Sequence, residues 1–379
     1  MSSKKLKIFL VMSGSATAIQ DSEIMYLNIL DTLKNLNYDI THYDFGSKWN
    51  DIKASSENEK KEILTSDILD EFKKEEGYDL FLSFLADLYV TPDLYKEIKN
   101  ICPSVNWTCN SHQFDDLHKE ISPYVDLNTY ISLDHKDLYD SVNAKSYWMP
   151  MAANPGFYKN NKNKDIDLSF IGSAYGKRPY YLWRLLQSGL DVDINGFGWR
   201  FDKNLSNFLR LYIYPLVIPF FNDSSKLHYI EANTRTNILK LLNSSFKVGE
   251  PLNDNEYADA LSRSKITLNF PESRVNHDYM NPHVIKGINF RDFEAPMSGA
   301  MLMTQFSKEL EFFYKDGEEV ISFHNEHDLI DKCRFYSSNE ESRVKIAEAG
   351  YKRAIAEHTW ENRFNKLFDV LNDLYNIYS

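Results

Sequence analysis

Strand-length apolar runs alternating with longer polar or amphipathic stretches make up most of this chain. Residues 6–12 form the first run, followed by a loop of small residues at 13–17 and a helix predicted over 22–35. Runs at 38–43, 78–85, 105–108 and 127–133 repeat the theme, and 145–155 closes the first half through a proline turn. Short apolar runs without alternation read as strands buried on both faces, and helix-length separations between them predict a parallel α/β sheet. The lysine- and glutamate-rich stretch 47–76 reads as loop and solvated helix. A linker-like KNNKNK at 159–164 precedes a second series: a strand at 167–171, a helix at 180–188, a helix at 256–264, strands at 266–270 and 300–304, and a helix at 342–357. Two domains follow, 1–158 and 165–357, with a last helix over 358–379.

Composition narrows the classes. A length of 379 residues suits two cores better than one, and a net charge of -12 argues against nucleic acid as the main partner. The three cysteines, Cys102, Cys109 and Cys333, show no C-x-x-C spacing and read as buried apolar groups in a reducing, cytoplasmic compartment. No apolar run reaches the ~18 residues of a membrane span, and the 6–12 run continues directly into loop and helix, so it reads as a strand rather than an export signal. Residues 201–245 exceed what the second domain needs and read as an insertion. Its apolar, twice proline-broken 211–221 suits an acceptor-side lid, a subunit contact, a shallow contact with the inner face of the membrane, or burial against its own domain.

The densest chemistry lies in 266–304, where strand, loop, helix and strand follow one another. Asn289 is the expected N-cap of the helix, and Arg291 and Glu294, three apart, share one of its faces. A guanidinium at a helix start suits a diphosphate, and a carboxylate one turn later can accept two hydroxyl hydrogen bonds from a ribose. The same spacing also suits a local Arg291–Glu294 ion pair on a solvated face. Pro296 cannot donate to the Asp292 carbonyl and is expected to kink or shorten the helix.

The run Asn269-Phe270, then Gly287-x-Asn289-x-Arg291-x-Phe293-Glu294-Ala295, then Ser298-Gly299-Ala300 and Leu302-x-Thr304, resembles the glycosyltransferase group 1 signature of CgeB-like proteins. Similar segments are Phe170-Ile171-Gly172-Ser173 before Lys177 and Arg178, Gly196-x-Gly198-Trp199, and His358-Thr359-x-x-x-Arg363. The resemblance implies a GT-B fold: two Rossmann-like domains facing a cleft, with the C-terminal helix returning to the first. It implies transfer from a nucleotide diphosphate sugar to a glycan, lipid-linked or protein acceptor. An epimerase of the same fold, or a non-catalytic sugar-binding or spore-coat protein, would share the donor clamp.

Donor contacts are then expected from Gly172, Lys177 or Arg178, Gly196, Val248, Asn269, Asn289, Arg291 and Glu294, with Gly14 and Ser15 in a cleft loop that equally suits an ordinary turn. His112 at a strand end could donate to a sugar hydroxyl or take the acceptor's proton, and Asp87 or Asp115 are the other candidate bases; each could equally be a structural group. Two departures stand out: Lys286 occupies the place of the second glutamate of many retaining relatives, and Pro296 interrupts the helix. No metal or cofactor is expected, since Asp191-Val192-Asp193 falls at a strand's start and His277 and His283 lack metal spacing, leaving them as phosphate or sugar contacts. A homo-oligomer is compatible with this reading.

Overall fold

The structure, a computed structural model, describes residues 5–14, 22–174, 177–197, 199, 248–274 and 284–378. Ser15, the insertion 201–245 with its apolar 211–221, His277 and His283 lie outside the described residues. The chain divides into two compact units, Met1–Phe157 with Glu357–Ser379, and Tyr158–Ala356.

The first unit holds six strands, β1 (Lys7–Met12), β2 (Asp39–Asp44), β3 (Leu80–Ser83), β4 (Ser104–Asn106), β5 (Leu127–Tyr130) and β6 (Ser146–Trp148). They form one parallel sheet in the order β2-β1-β3-β4-β5-β6. Ile8 to Met12 are wholly enclosed, as an unalternating run should be when both faces of its sheet are covered. The helix Glu57–Phe72, capped by the Ser56 hydroxyl, is more than a solvated charge run. Its Leu64, Ile68 and Phe72, four apart, bury one stripe against Phe9, Tyr78 and Phe81, with Phe72 meeting Phe9 edge-on at 5.2 Å. Charge covers the outer face only, and that charge hid the stripe.

The helix Trp360–Tyr375 belongs to this first unit. Thr359 caps it by accepting from the Asn362 N–H, and Trp360, Phe364, Leu367, Phe368 and Leu371 are fully buried. Arg363 donates from Nε to the Pro150 carbonyl and from Nη2 to that of Met151, and the Trp360 indole donates to Asn28 Oδ1. The His358–Arg363 motif and the 148–154 exit segment are therefore two sides of one seam.

The second unit holds β7 (Ile166–Ile171), β8 (Asp193–Asn195), β9 (Ser264–Asn269), the antiparallel pair β10 (Glu272–Arg274) and β11 (Val284–Lys286), β12 (Met301–Gln305) and β13 (Ile321–Phe323). Its main sheet is parallel in the order β13-β12-β9-β7-β8, over a core of Phe170, Leu182, Ile266, Leu268 and Met303. The KNNKNK stretch packs onto this unit. Lys164 Nζ donates to the carbonyls of Ser262 and Ser298, at the C-terminal ends of the helices Asp254–Arg263 and Arg291–Met297, and burial pushes its pKa down to about 8. Gly299, left-handed at φ +72°, closes the second of these helices, and a Cβ there would lie 2.1 Å from the Asn160 side chain. Among the described residues no helix is long and apolar enough to cross a membrane.

Candidate active site

Parallel strands deliver their C-terminal ends to one edge of a sheet, and in the second unit Ile171 and Asn269 stand there, beside the start of the helix Arg291–Met297. Asn289 caps this helix one residue ahead of the formal N-cap position, Phe290: its Oδ1 accepts from the Arg291 N–H, and the Asn289 N–H donates to Asp292 Oδ2. Pro296 lies inside the helix, which ends after Met297. A second polar cluster fixes this turn to the sheet. Asn269 Nδ2 donates to Asn289 Oδ1 at 3.1 Å and to Asp292 Oδ1 at 2.8 Å, and Thr304 Oγ1 donates to Asp292 Oδ1 at 2.9 Å. Burial raises the wholly enclosed Asp292 to about 6 against the pull of these donors.

Arg291 and Glu294 share a face and turn toward each other, with Nε 3.6 Å from Oε2. The Glu294 side chain keeps only 4% of its exposure and the Arg291 side chain 15%. Neither is an open fork. Tyr158 Oη donates to Glu294 Oε1 at 2.6 Å, and Tyr257 Oη donates to Oε2 while accepting from Arg291 Nε at 2.8 Å. Arg291 Nη1 donates to the Ile171 carbonyl, and its guanidinium lies 4.9 Å from the Tyr257 ring centroid. Burial, ahead of the nearby Glu294 charge, lifts Tyr257 well above its ordinary value, so it stays a phenol. For Arg291, burial works downward, but the Tyr257 oxygen that accepts from its Nε and the Glu294 carboxylate prevail and raise it. Sequence reasoning missed both tyrosines: 24 tyrosines give no signal, and Tyr158 reaches Glu294 across 136 positions.

The remaining donor candidates gather at the same edge by backbone contact. Gly172 N–H donates to the Asn195 carbonyl, and Gly196, at φ +143°, could carry no Cβ without meeting Gly172 O at 2.4 Å. The Trp199 indole donates to Gly172 O at 2.7 Å, and Val248 extends the sheet by pairing with Ile194. Gly172 and Gly196 are thus required first by each other. Lys177 and Arg178 separate: Lys177 is exposed at the start of its helix, whereas Arg178 is buried, donating from Nε and Nη2 to the Phe270 carbonyl and from Nη1 to that of Ser173. Asp193 opens β8 and accepts from Asn195 Nδ2.

The first unit distributes its candidates differently. Asp87, a candidate base, is a buried brace: its two oxygens accept from the backbone N–H groups of Glu120 and Ile121, and burial raises its pKa. Asp115 pairs with Lys119 one turn on, on an exposed face. His112 is half-buried in the turn Ser111–Gln113, its ring 6.5 Å from that of His135. Gly14 accepts from the Met25 N–H through its carbonyl.

Residues 233–369, which include the Arg291–Glu294 turn, match the family model described as glycosyl transferase-like. No curated protein sequence matches the chain. Among solved structures, the chain is similar to a sucrose-phosphate synthase from Thermosynechococcus elongatus, at 10% identity and a TM-score of 0.61 over 97% of this chain and 99% of that one. The fold is GT-B. HepE from Anabaena, solved in complex with UDP and glucose, shares this GT-B fold at 9% identity and a TM-score of 0.59, covering 97% and 99% of the two chains. A glycosyltransferase from Rickettsia africae does so at 13% identity and a TM-score of 0.59, covering 98% of each. At such identities the likeness is one of GT-B architecture, and the chemistry must be argued from the residues.

Proposed function

We propose that this protein is a CgeB-like glycosyltransferase that moves a sugar from a nucleotide diphosphate sugar to a glycan, lipid-linked or protein acceptor without a metal ion. The observation that carries the reading is the Arg291–Glu294 pair at the C-terminal edge of the second sheet, inside the segment that matches the glycosyl transferase-like model. The complexes of HepE with UDP and glucose and with UDP-glucose support a uridine donor.

Glu294 accepts two O–H bonds in the structure, and a ribose diol offers two of the same kind. Donor binding then exchanges phenols for ribose hydroxyls at Glu294 while Tyr158 and Tyr257 turn aside, which also releases Arg291 Nε from Tyr257 to meet the diphosphate. As the glycosidic bond breaks, negative charge grows on the diphosphate. Arg291 and the exposed Lys177, both near the C-terminal edge of the second sheet, would meet it. Arg178 and Asp87 are committed to backbone groups, so neither enters the mechanism. An inverting reaction would turn to His112 as base, and a retaining one to the donor phosphate itself.

The test is nucleotide diphosphate release from UDP-, GDP- and dTDP-sugars, with and without EDTA. The expected outcome is release that EDTA leaves intact and that Arg291→Ala lowers roughly 10- to 150-fold, the equivalent of one hydrogen bond to a charged group. Near-normal release by that variant would refute the clamp.

A further inference from the structure

Two phenols divide the Glu294 carboxylate between them. Tyr158 Oη donates to Oε1 at 2.6 Å, while Tyr257 Oη donates to Oε2 and accepts from Arg291 Nε at 2.8 Å. Each carboxylate oxygen has therefore taken one O–H, and the Nε edge of the guanidinium is taken as well. Only 4% of the Glu294 side chain and 15% of the Arg291 side chain stay exposed. The two tyrosines come from separate places. Tyr158 stands just before the 159–164 stretch, and Tyr257 lies in the first turn of the helix Asp254–Arg263, whose start is fixed by reciprocal capping between Asn253 and Glu256. Their rings meet edge-on with centroids 6.3 Å apart, so each braces the other.

A buried carboxylate without donors is costly, so the phenols stabilise the closed arrangement itself. Any hydroxyl that approaches Glu294 from a ligand must first take the place of one of them. Phenols held in the fold compete at high effective concentration, as any tethered group does. When the competent state is only a fraction of the molecules, apparent affinity falls by that fraction. Closure of this kind acts on every ligand that needs the Arg291–Glu294 pair, whatever else that ligand carries.

We propose that Tyr158 and Tyr257 form a two-phenol gate: closed in the resting protein, it admits a nucleotide only once both hydroxyls leave Glu294, and so holds down the affinity for a nucleoside diphosphate and for its sugar conjugate alike. The gate rests on the assignment of Arg291 and Glu294 to the nucleotide, and adds to it a pair of residues whose hydroxyls oppose binding. A tyrosine that merely supported Arg291 for the diphosphate would act in the opposite sense. Removing the hydroxyl strengthens binding at a gate and weakens it at a support.

The full chain and its Tyr158→Phe, Tyr257→Phe and Tyr43→Phe variants are titrated calorimetrically with UDP, GDP and dTDP. Tyr43, which donates to Asp67 in the first unit, supplies the comparison: it loses a phenol–carboxylate bond that is no part of the gate. Expected are binding of at least one nucleotide by the parent, a roughly tenfold gain in affinity from each substitution at Glu294, and a change within about twofold from Tyr43→Phe. Melting temperatures are measured with and without that nucleotide. Tyr158→Phe and Tyr257→Phe should each melt below the parent alone and recover in its presence, because the substitution penalises the closed state only. Unchanged or weaker nucleotide binding in either variant overturns the gate and keeps the nucleotide-sugar reading. An equal gain in Tyr43→Phe also overturns it, as general loosening. A parent and variants that bind none of the three nucleotides overturn the gate and the nucleotide-sugar reading together.

Discussion

Asp292 is the side chain most changed by its surroundings. It sits between Arg291 and the apolar Phe293, yet its carboxylate faces three donors inside the sheet edge, and burial raises it to about 6 against about 3.9 for an exposed aspartate. A carboxyl group with a raised native pKa binds its proton more tightly folded than unfolded. Its contribution to stability is therefore greatest below about pH 4 and is lost as the pH rises through 6. Asp292→Asn should remove that slope from a series of melting temperatures between pH 4 and 7. It should also cost about 1–3 kcal/mol, because the new amide would point a donor at the Asn289 N–H. A variant as stable as the parent at pH 7 would contradict this. Arg291 and Glu294 were visible in the sequence because helical spacing puts them on one face. Tyr158 and Tyr257 were not, because a hydroxyl reaching a carboxylate from another element leaves no local pattern.

Elements were legible where the apolar run was short and continuous, as in β1 and β9, and blurred where charge outnumbered the buried positions. The helix Glu57–Phe72 reads as polar, yet its Ile68 is fully enclosed beneath Phe9 and Phe81. Ile68→Ala should cost about 2–5 kcal/mol in urea unfolding, the range for a truncated core aliphatic. Glu62→Ala, on the exposed face of the same helix, should stay within about 0.5 kcal/mol. Equal effects would mean that the stripe does not pack as described. The KNNKNK stretch shows the opposite error: its composition suggests a free linker, but Lys164 ties two helix ends by reaching their last carbonyls. The antiparallel β10–β11 pair within the loop after β9 was also missed, since three-residue strands carry too few positions for a period to show.

At the scale of the whole molecule, the first unit is completed only by the end of the chain. Five fully buried side chains of the helix Trp360–Tyr375 contribute roughly 7–15 kcal/mol of apolar burial, comparable with the entire net stability of a domain. A chain truncated after Glu357 should lose the cooperative unfolding of the first unit, seen by circular dichroism; a sharp transition retained for that unit would show the helix to be an ornament. By itself the sequence determined the parallel α/β class, the order of the strands along the chain, the position of the Arg291–Glu294 turn and the capping of the last helix by Thr359. These depend on periodicities and caps that span a few neighbouring residues. Only the tertiary structure decided that Arg291 faces Glu294 through Tyr257 and that Arg178 and Asp87 serve the backbone. Burial and hydrogen-bond partnership are set by residues distant in the chain, and no local pattern records which of them will meet.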